Sequence, residues 1–170
     1  EIMESFDVIC DCTDNFPSRY LINDACIILN KPNIYGSVGG FEGQASVFNL
    51  HEDSPNFRDL VPVPPPSELI PRCSEGGVMG ILPGIIGLIQ ATEAIKIITG
   101  IGKTLNGRIL VFNALQMQFK ELHLNSNKSN KEIKELIDYK KFCSKVKDNY
   151  NNNKSKDYDR ISIKELRVLL

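Results

Sequence analysis

Residues 82–99, LPGIIGLIQATEAIKIIT, constrain the fold more than any other stretch. Pro83 stands near the start and Gly100 just past the end, the punctuation expected of a long helix. Gln90, Glu93 and Lys96 fall three apart on one stripe. The remaining surface is Ile, Leu and Ala, so the helix is expected to be largely buried, with Gly84 and Gly87 allowing close packing. A helix apolar on most sides needs a sheet or other helices around it. Its polar interruptions argue for a core element, and no apolar run is read as reaching the roughly 18–20 residues of a membrane span.

The sheet is supplied by short apolar runs. Phe6–Cys12 (FDVICDC) reads as a central strand covered on both faces, with Cys10, Cys12 and Cys26 as core residues. Asp14 or Asn15 caps the next helix, Pro17 lies in its first turn, and the helix runs to about Leu29. Asn33–Ser37 and Gln44–Leu50 read as strands around a Gly39-Gly40 turn. A long irregular stretch, His51 to about Met79, carries Pro62, Pro64, Pro65 and Pro66. Loops of this length inside a domain are often functional. Arg108–Asn113 and Gln118–Leu124 complete the order β-α-β-β-loop-α-β-β, which predicts an α/β fold with a mixed sheet. Gly36, Gly39 and Gly40 serve either a close approach or a plain turn.

Composition shifts after residue 124. Residues 1–124 hold 8 Lys and Arg against 14 Asp and Glu, a net of −6; residues 125–170 hold 12 against 7, a net of +5, and no Gly or Pro. A globular body followed by a polar connector fits this split. Glu132–Phe142 reads as a short helix, Lys145–Asp159 as a flexible linker, and Ile161–Leu170 as a strand entering a helix. The basic tail has few aromatics and reads as solvated chain, so no nucleic-acid site is expected. Five cysteines, an odd number without any CxxC, fit free thiols in a reducing cytoplasm. The sequence opens at Glu1 on what reads as a helix end before a core strand, so the protein is expected to extend further in that direction.

Chemistry is concentrated where the first strand meets its helix. Ligands gather at the carboxyl ends of strands in open α/β sheets, and Asp11 and Asp14 lie at such an end. A carboxylate there either caps the helix or holds Mg²⁺, which takes oxygen ligands and bridges to phosphates. Arg19 faces either a phosphate or solvent. Cys73, between Arg72 and Ser74 and before Gly76-Gly77, is either an incidental loop cysteine or a thiolate favoured by the neighbouring cation. His51 and His123 have no ligand spacing and read as structural.

Four segments in continuous order carry a resemblance: DVICDCTDNFPSRYLIND, PNIYGSVGGFEGQASVFN, CSEGGVMGILPGIIGLIQATEAIKIITG and GRILVFNALQMQFKELHL. Together they resemble the second half of the MoeB/ThiF family, relatives of ubiquitin-activating enzymes with a Rossmann-like fold. The resemblance covers residues 1–124; residues 125–160 are a polar linker, and ISIKELRVLL, 161–170, is similar to the opening of a rhodanese domain. It implies ATP-dependent adenylylation of the C-terminal glycine of a ubiquitin-like (β-grasp) sulfur-carrier protein, in molybdopterin, thiamine or thiolation sulfur transfer. By the same resemblance the intact protein is a cytoplasmic homodimer. Asp14, in the CTDN motif, is implied to orient Mg²⁺; Asn15 and Arg19 fit the surrounding DNxxxR pattern and are implied with Asp14 as cofactor-binding residues, Asn15 also as the helix cap. Cys73 matches the family's reactive loop cysteine, a catalytic nucleophile by thioester or persulfide chemistry.

Two departures qualify the expectation. Many members carry two CxxC pairs on one structural zinc. Here PNFRDLVP places Asn56 and Asp59 at the first pair, and NSNKSNK after the last strand has no cysteine. No zinc is therefore expected, with segments 51–79 and 124–132 looser than in zinc-bearing relatives. Asn113 stands where the family pattern has Asp. The family's glycine-rich nucleotide loop would precede Glu1, and no GxGxxG occurs here, so this chain alone is expected to bind ATP weakly or not at all. The alternative reading is a non-catalytic binding module for a β-grasp partner.

Overall fold

The structure, a computed structural model, describes residues 1–65 and 76–144. A single turn of 3-10 helix, Ile2–Ser5, precedes the sheet. The strands are β1 (Ile9–Asp11), β2 (Asn33–Gly39), β3 (Glu42–Phe48), β4 (Arg108–Asn113) and β5 (Gln118–His123). They form one sheet in sequence order. β1 runs parallel to β2, with Asp11 beside Tyr35, and every later pairing is antiparallel. The helix α1 (Phe16–Ile28) makes the parallel crossover. Gly40 (φ 54°) and Met117 (φ 50°) take the left-handed conformation where the chain reverses between antiparallel strands. The expected α/β fold with a mixed sheet is what forms.

β1 is shorter than its apolar run and, among the described residues, pairs with β2 alone, so it lies at an edge rather than in the middle. Cys10 and Cys12 are consequently exposed, against the expectation of core residues; Cys26, on α1, is fully buried.

Layers form on both faces because side chains alternate along each strand. Tyr35, Phe48 and Ile109 face α1 and the short helix α2 (Phe57–Leu60), where they meet Tyr20, Phe57 and Tyr139. Ile34, Ala45 and Val47 face the helix α3 (Leu82–Thr99), against Ile89, Ala94 and Ile97. Leu82, Ile86 and Phe112 close the far end of that layer.

The bounds of α3 match the sequence reading, but its orientation reverses it. The polar stripe points inward: Gln90 is 5% exposed and Glu93 3%. Glu93 Oε2 accepts from Leu105 N at 2.7 Å, and the Glu93 carboxylate pairs with Lys96. Leu88 and Ile98 are each 71% exposed and lie on the outer side with Ile95. The helix is thus not largely buried. By length and composition, 18 residues of mean hydropathy 1.3, α3 would also suit a membrane crossing, contrary to the reading that no run approaches that length. Its buried carboxylate and carboxamide, bonded to backbone groups of the layer beneath, are those of a helix docked on a sheet.

Beyond β5 the chain returns to the body. Lys128–Lys131 forms a 3-10 turn, and residues 139–144 are helical. The predicted helix over Glu132–Phe142 therefore begins later. Tyr139, 6% exposed, is held there by its hydrogen bond to Asp24, and Phe142 packs edge-on to Tyr20 at 5.3 Å.

Candidate active site

Between β1 and α1 the chain must turn from a sheet edge into a helix within four residues, 12–15. Three side chains fix that turn. Asp11, 1% exposed, accepts on Oδ1 from Thr13 N at 2.9 Å and Thr13 Oγ1 at 2.7 Å. From the helix side, Arg19 Nε and Nη2 donate to Thr13 O at 3.2 and 3.0 Å. Arg19 Nη1 donates to Tyr35 Oη at 3.4 Å, and the guanidinium lies 5.3 Å from the Tyr35 ring centre. Burial raises the Tyr35 pKa, so its hydroxyl stays neutral beside the cation. Asn15 caps α1, accepting on Oδ1 from Ser18 N at 2.9 Å, with Pro17 in the first turn.

These bonds leave Asp14 projecting. It is exposed, and its Oδ1 accepts from Asn15 Nδ2 at 3.4 Å. Of the two roles open to it, capping belongs to Asn15. Asp11 is occupied inside the turn. Arg19 faces neither solvent nor an open cleft: it is buried and tied to Thr13 and Tyr35. Asp14, Asn15 and Arg19 are brought together at the carboxyl end of β1. Cys73 lies outside the described residues. Downstream of it, Gly40 N donates to Gly77 O at 3.2 Å and Met79 N to Gly40 O at 2.9 Å. Gly40 follows the carboxyl end of β2, the same end of the sheet as Asp14.

Under the turn lies Gln90, which the sequence reading placed on the polar stripe of α3 with Glu93 and Lys96. Its Nε2 donates to Asp11 O at 2.9 Å and Ile34 O at 3.1 Å, and its Oε1 accepts from Cys12 Sγ at 3.6 Å. Gly36 makes room for it: a Cβ there would stand 2.4 Å from Gln90 Cδ. Gly36 thus serves a close approach, Gly40 a turn, and Gly39 borders open space. A polar residue amid an apolar helix, with a glycine inside a buried strand, was the available signal.

A recess of about 540 Å³ lies at the opposite end of the sheet, lined by Lys96, Gly100, Thr104 and Arg108 among others. It is remote from Asp14 and does not enlarge this site. Among the described residues, no three His, Cys, Asp or Glu side chains converge as a metal cluster would require.

Comparison with known proteins identifies the architecture. The family model described as ThiF family matches residues 1–134. The probable adenylyltransferase/sulfurtransferase MoeZ of Mycobacterium tuberculosis (strain ATCC 25618 / H37Rv) is 48% identical over 153 residues, covering 87% of this chain and 38% of that protein. The adenylyltransferase and sulfurtransferase MOCS3 of Drosophila grimshawi is 43% identical over 150 residues, 84% of this chain and 33% of that one. The sulfur carrier protein adenylyltransferase of Thermus thermophilus is 42% identical over 153 residues, 84% of this chain and 56% of that one. The chain thus spans between a third and just over half of the length of these relatives. A solved structure of E. coli MccB with ATP superposes with a TM-score of 0.59 at 13% identity, over 71% of this chain and 37% of that one, a likeness of fold alone. With its mixed sheet, its pinned strand-to-helix turn and this match over residues 1–134, the chain belongs to the ThiF family.

Proposed function

We propose that the protein containing this chain adenylylates the C-terminal glycine of a ubiquitin-like sulfur-carrier protein. This chain supplies the C-terminal part of the adenylation domain, residues 1–124 with the return that packs on it as far as residue 144, followed by a connector up to 160 and the start of a rhodanese-like domain (161–170). The observation that carries the reading is the Asp14 carboxylate, exposed at the carboxyl end of β1 with only the Asn15 carboxamide donating to its Oδ1 at 3.4 Å among the described residues. Relatives named as an adenylyltransferase/sulfurtransferase and as a sulfur carrier protein adenylyltransferase support it.

Asp14 suits Mg²⁺, which takes one or two protein carboxylates and otherwise keeps water and phosphate oxygens. When bound, the ion neutralises charge on the phosphates of ATP. Asp11 and Arg19 hold the Thr13 turn from two sides, so the backbone that presents Asp14 is fixed, and Asn15 fixes the start of α1. Cys73 then acts on the activated carrier. Its thiolate attacks the acyl-adenylate carbonyl, a carbon–sulfur bond forms, and AMP leaves with the electrons of the broken carbon–oxygen bond; in the other route a sulfane-sulfur donor first passes its outer sulfur to Cys73 and leaves as its reduced form, and the terminal sulfur of the resulting persulfide attacks the same carbonyl and expels AMP. The intact protein works as a cytoplasmic homodimer with a β-grasp carrier as partner. The free thiols of Cys10, Cys12, Cys26 and Cys143 suit a reducing compartment.

Carrier-dependent ATP–pyrophosphate exchange by the full-length protein tests this. Asp14→Ala is expected to lower exchange on the order of 10²-fold. Cys73→Ala is expected to leave exchange intact and abolish sulfur transfer. Exchange unchanged by Asp14→Ala removes the metal role, and sulfur transfer unchanged by Cys73→Ala removes the nucleophile.

A further inference from the structure

Two short segments far apart in sequence meet beside α2, and both repeat one spacing: Asn56-x-x-Asp59 and Asn127-x-x-Asn130. Asn56, fully buried, and Asp59 cap α2 reciprocally: Arg58 N donates to Asn56 Oδ1 at 2.8 Å, and Asn56 N donates to Asp59 Oδ2 at 2.8 Å. The other Asp59 oxygen, Oδ1, accepts from Asn127 N at 3.0 Å and Asn130 Nδ2 at 2.7 Å. Asn56 Nδ2 donates to Asn130 O at 3.4 Å. Alongside, Ser126 Oγ donates to Ser54 O at 3.2 Å.

Asn56 and Asp59 stand where the family resemblance places one pair of thiolates on zinc, Asn127 and Asn130 lie within NSNKSNK, the segment of the second pair, and the residues present do not fit that metal. Zinc in structural sites takes four thiolate or imidazole ligands. Here one carboxylate, two carboxamides and the Asn127 backbone N–H meet, and both oxygens of the carboxylate already receive N–H donors. Among the described residues, 54–59 and 126–130 are tied together by these bonds.

We infer that this quartet is a metal-free clasp, in which hydrogen bonds to Asp59 fasten the segment after β3 to the segment after β5. The clasp seats α2, and α2 carries Arg58 onto Asp24 of α1 through bonds of 2.9 and 2.7 Å. Through α1 it steadies the helix that Asp14 precedes, with the Asn15 cap between them. The inference rests on family membership but is independent of the adenylylation reading.

The test measures metal and stability on the full-length protein purified from zinc-supplemented medium. Elemental analysis is expected to find far less than one zinc per chain, and a strong chelator is expected to leave the melting temperature unchanged. Asp59→Ala is expected to lower that temperature by about 2–4 °C, and Asp59→Asn, which keeps one acceptor, by less. Cysteine at all four positions, by Asn56→Cys, Asp59→Cys, Asn127→Cys and Asn130→Cys together, is expected to take up one zinc and to make melting chelator-sensitive. One tightly bound zinc in the unsubstituted protein, removable with loss of stability, overturns the inference, as does an Asp59→Ala variant that melts unchanged. Zinc found alongside normal pyrophosphate exchange would defeat the clasp alone; absent zinc with absent exchange would defeat only the function.

Discussion

Asp24 is a carboxylate almost without contact with water, surrounded by four donors. Arg58 grips both oxygens, Asn23 Nδ2 donates to Oδ1 at 3.0 Å, and Tyr139 Oη donates to Oδ2 at 2.9 Å. The Arg58 guanidinium lies over the rings of Tyr20 and Phe142, at 5.0 and 5.2 Å. The Asp24 hydrogen bond raises the Arg58 pKa further, so the cation is permanent. Removing one partner of a buried pair strands the other charge, which costs about 3–5 kcal/mol. Arg58→Ala is expected to lose that much in urea unfolding. Tyr139→Phe, which removes one bond to a charged acceptor and keeps the ring, is expected to lose about 1.5–3 kcal/mol. A loss below about 0.5 kcal/mol for either variant would show the network to be incidental. None of this cluster was legible in the sequence. Asp24 and Arg58 are 34 residues apart and Asp24 and Tyr139 are 115 apart, and no local pattern pairs them. Asn15 was legible, because a cap bonds to its own helix.

At the scale of elements, α3 shows how far periodicity reaches. Pro83, the apolar run and the left-handed Gly100 (φ 70°) locate both ends, since each acts through the backbone nearby. A spacing of three also says that Gln90, Glu93 and Lys96 share a side. It does not say which side, because that depends on Asp11 O, Ile34 O and Leu105 N, groups supplied by other parts of the chain. Burying the carboxamide is tolerable because each polar atom finds a partner. Gly36→Ala tests the arrangement. The added methyl would displace Gln90 from two carbonyls, and the variant is expected to lose about 1–3 kcal/mol. In a Gln90→Ala background the same change is expected to cost little, since the obstructing amide is gone; additive losses in denaturant unfolding would contradict the packing described. The delayed helix near 139 has the same lesson, for its start is set by Tyr139 docking on α1 rather than by its own pattern.

For the whole molecule, the mixed sheet followed from the order of elements, while the edge position of β1 did not, since a run of apolar residues looks alike at an edge and in the centre. Stability of the assembled layers should depend on alkalinity. Burial, with Asp11 adding to it, lifts the Cys26 thiol from 9.0 to about 12. Burial likewise raises the Tyr20 and Tyr139 hydroxyls above their ordinary value of 10.0. The unfolded chain releases these protons first, so the folded form holds more of them and loses stability as pH rises. The contribution is complete below pH 9 and declines as pH climbs from 9.0 towards about 12. Melting temperature followed stepwise through this range should fall, and Tyr139→Phe should flatten the slope; a level profile in the unsubstituted protein would refute the assignment. One further consequence follows from the joint at Asp59. Sulfur ligands that grip a metal are also what peroxides attack, and their oxidation releases the ion. Carboxamides and a carboxylate present no such target, so an oxidant that would unfasten a zinc-bound relative leaves this seam closed and Arg58 in place.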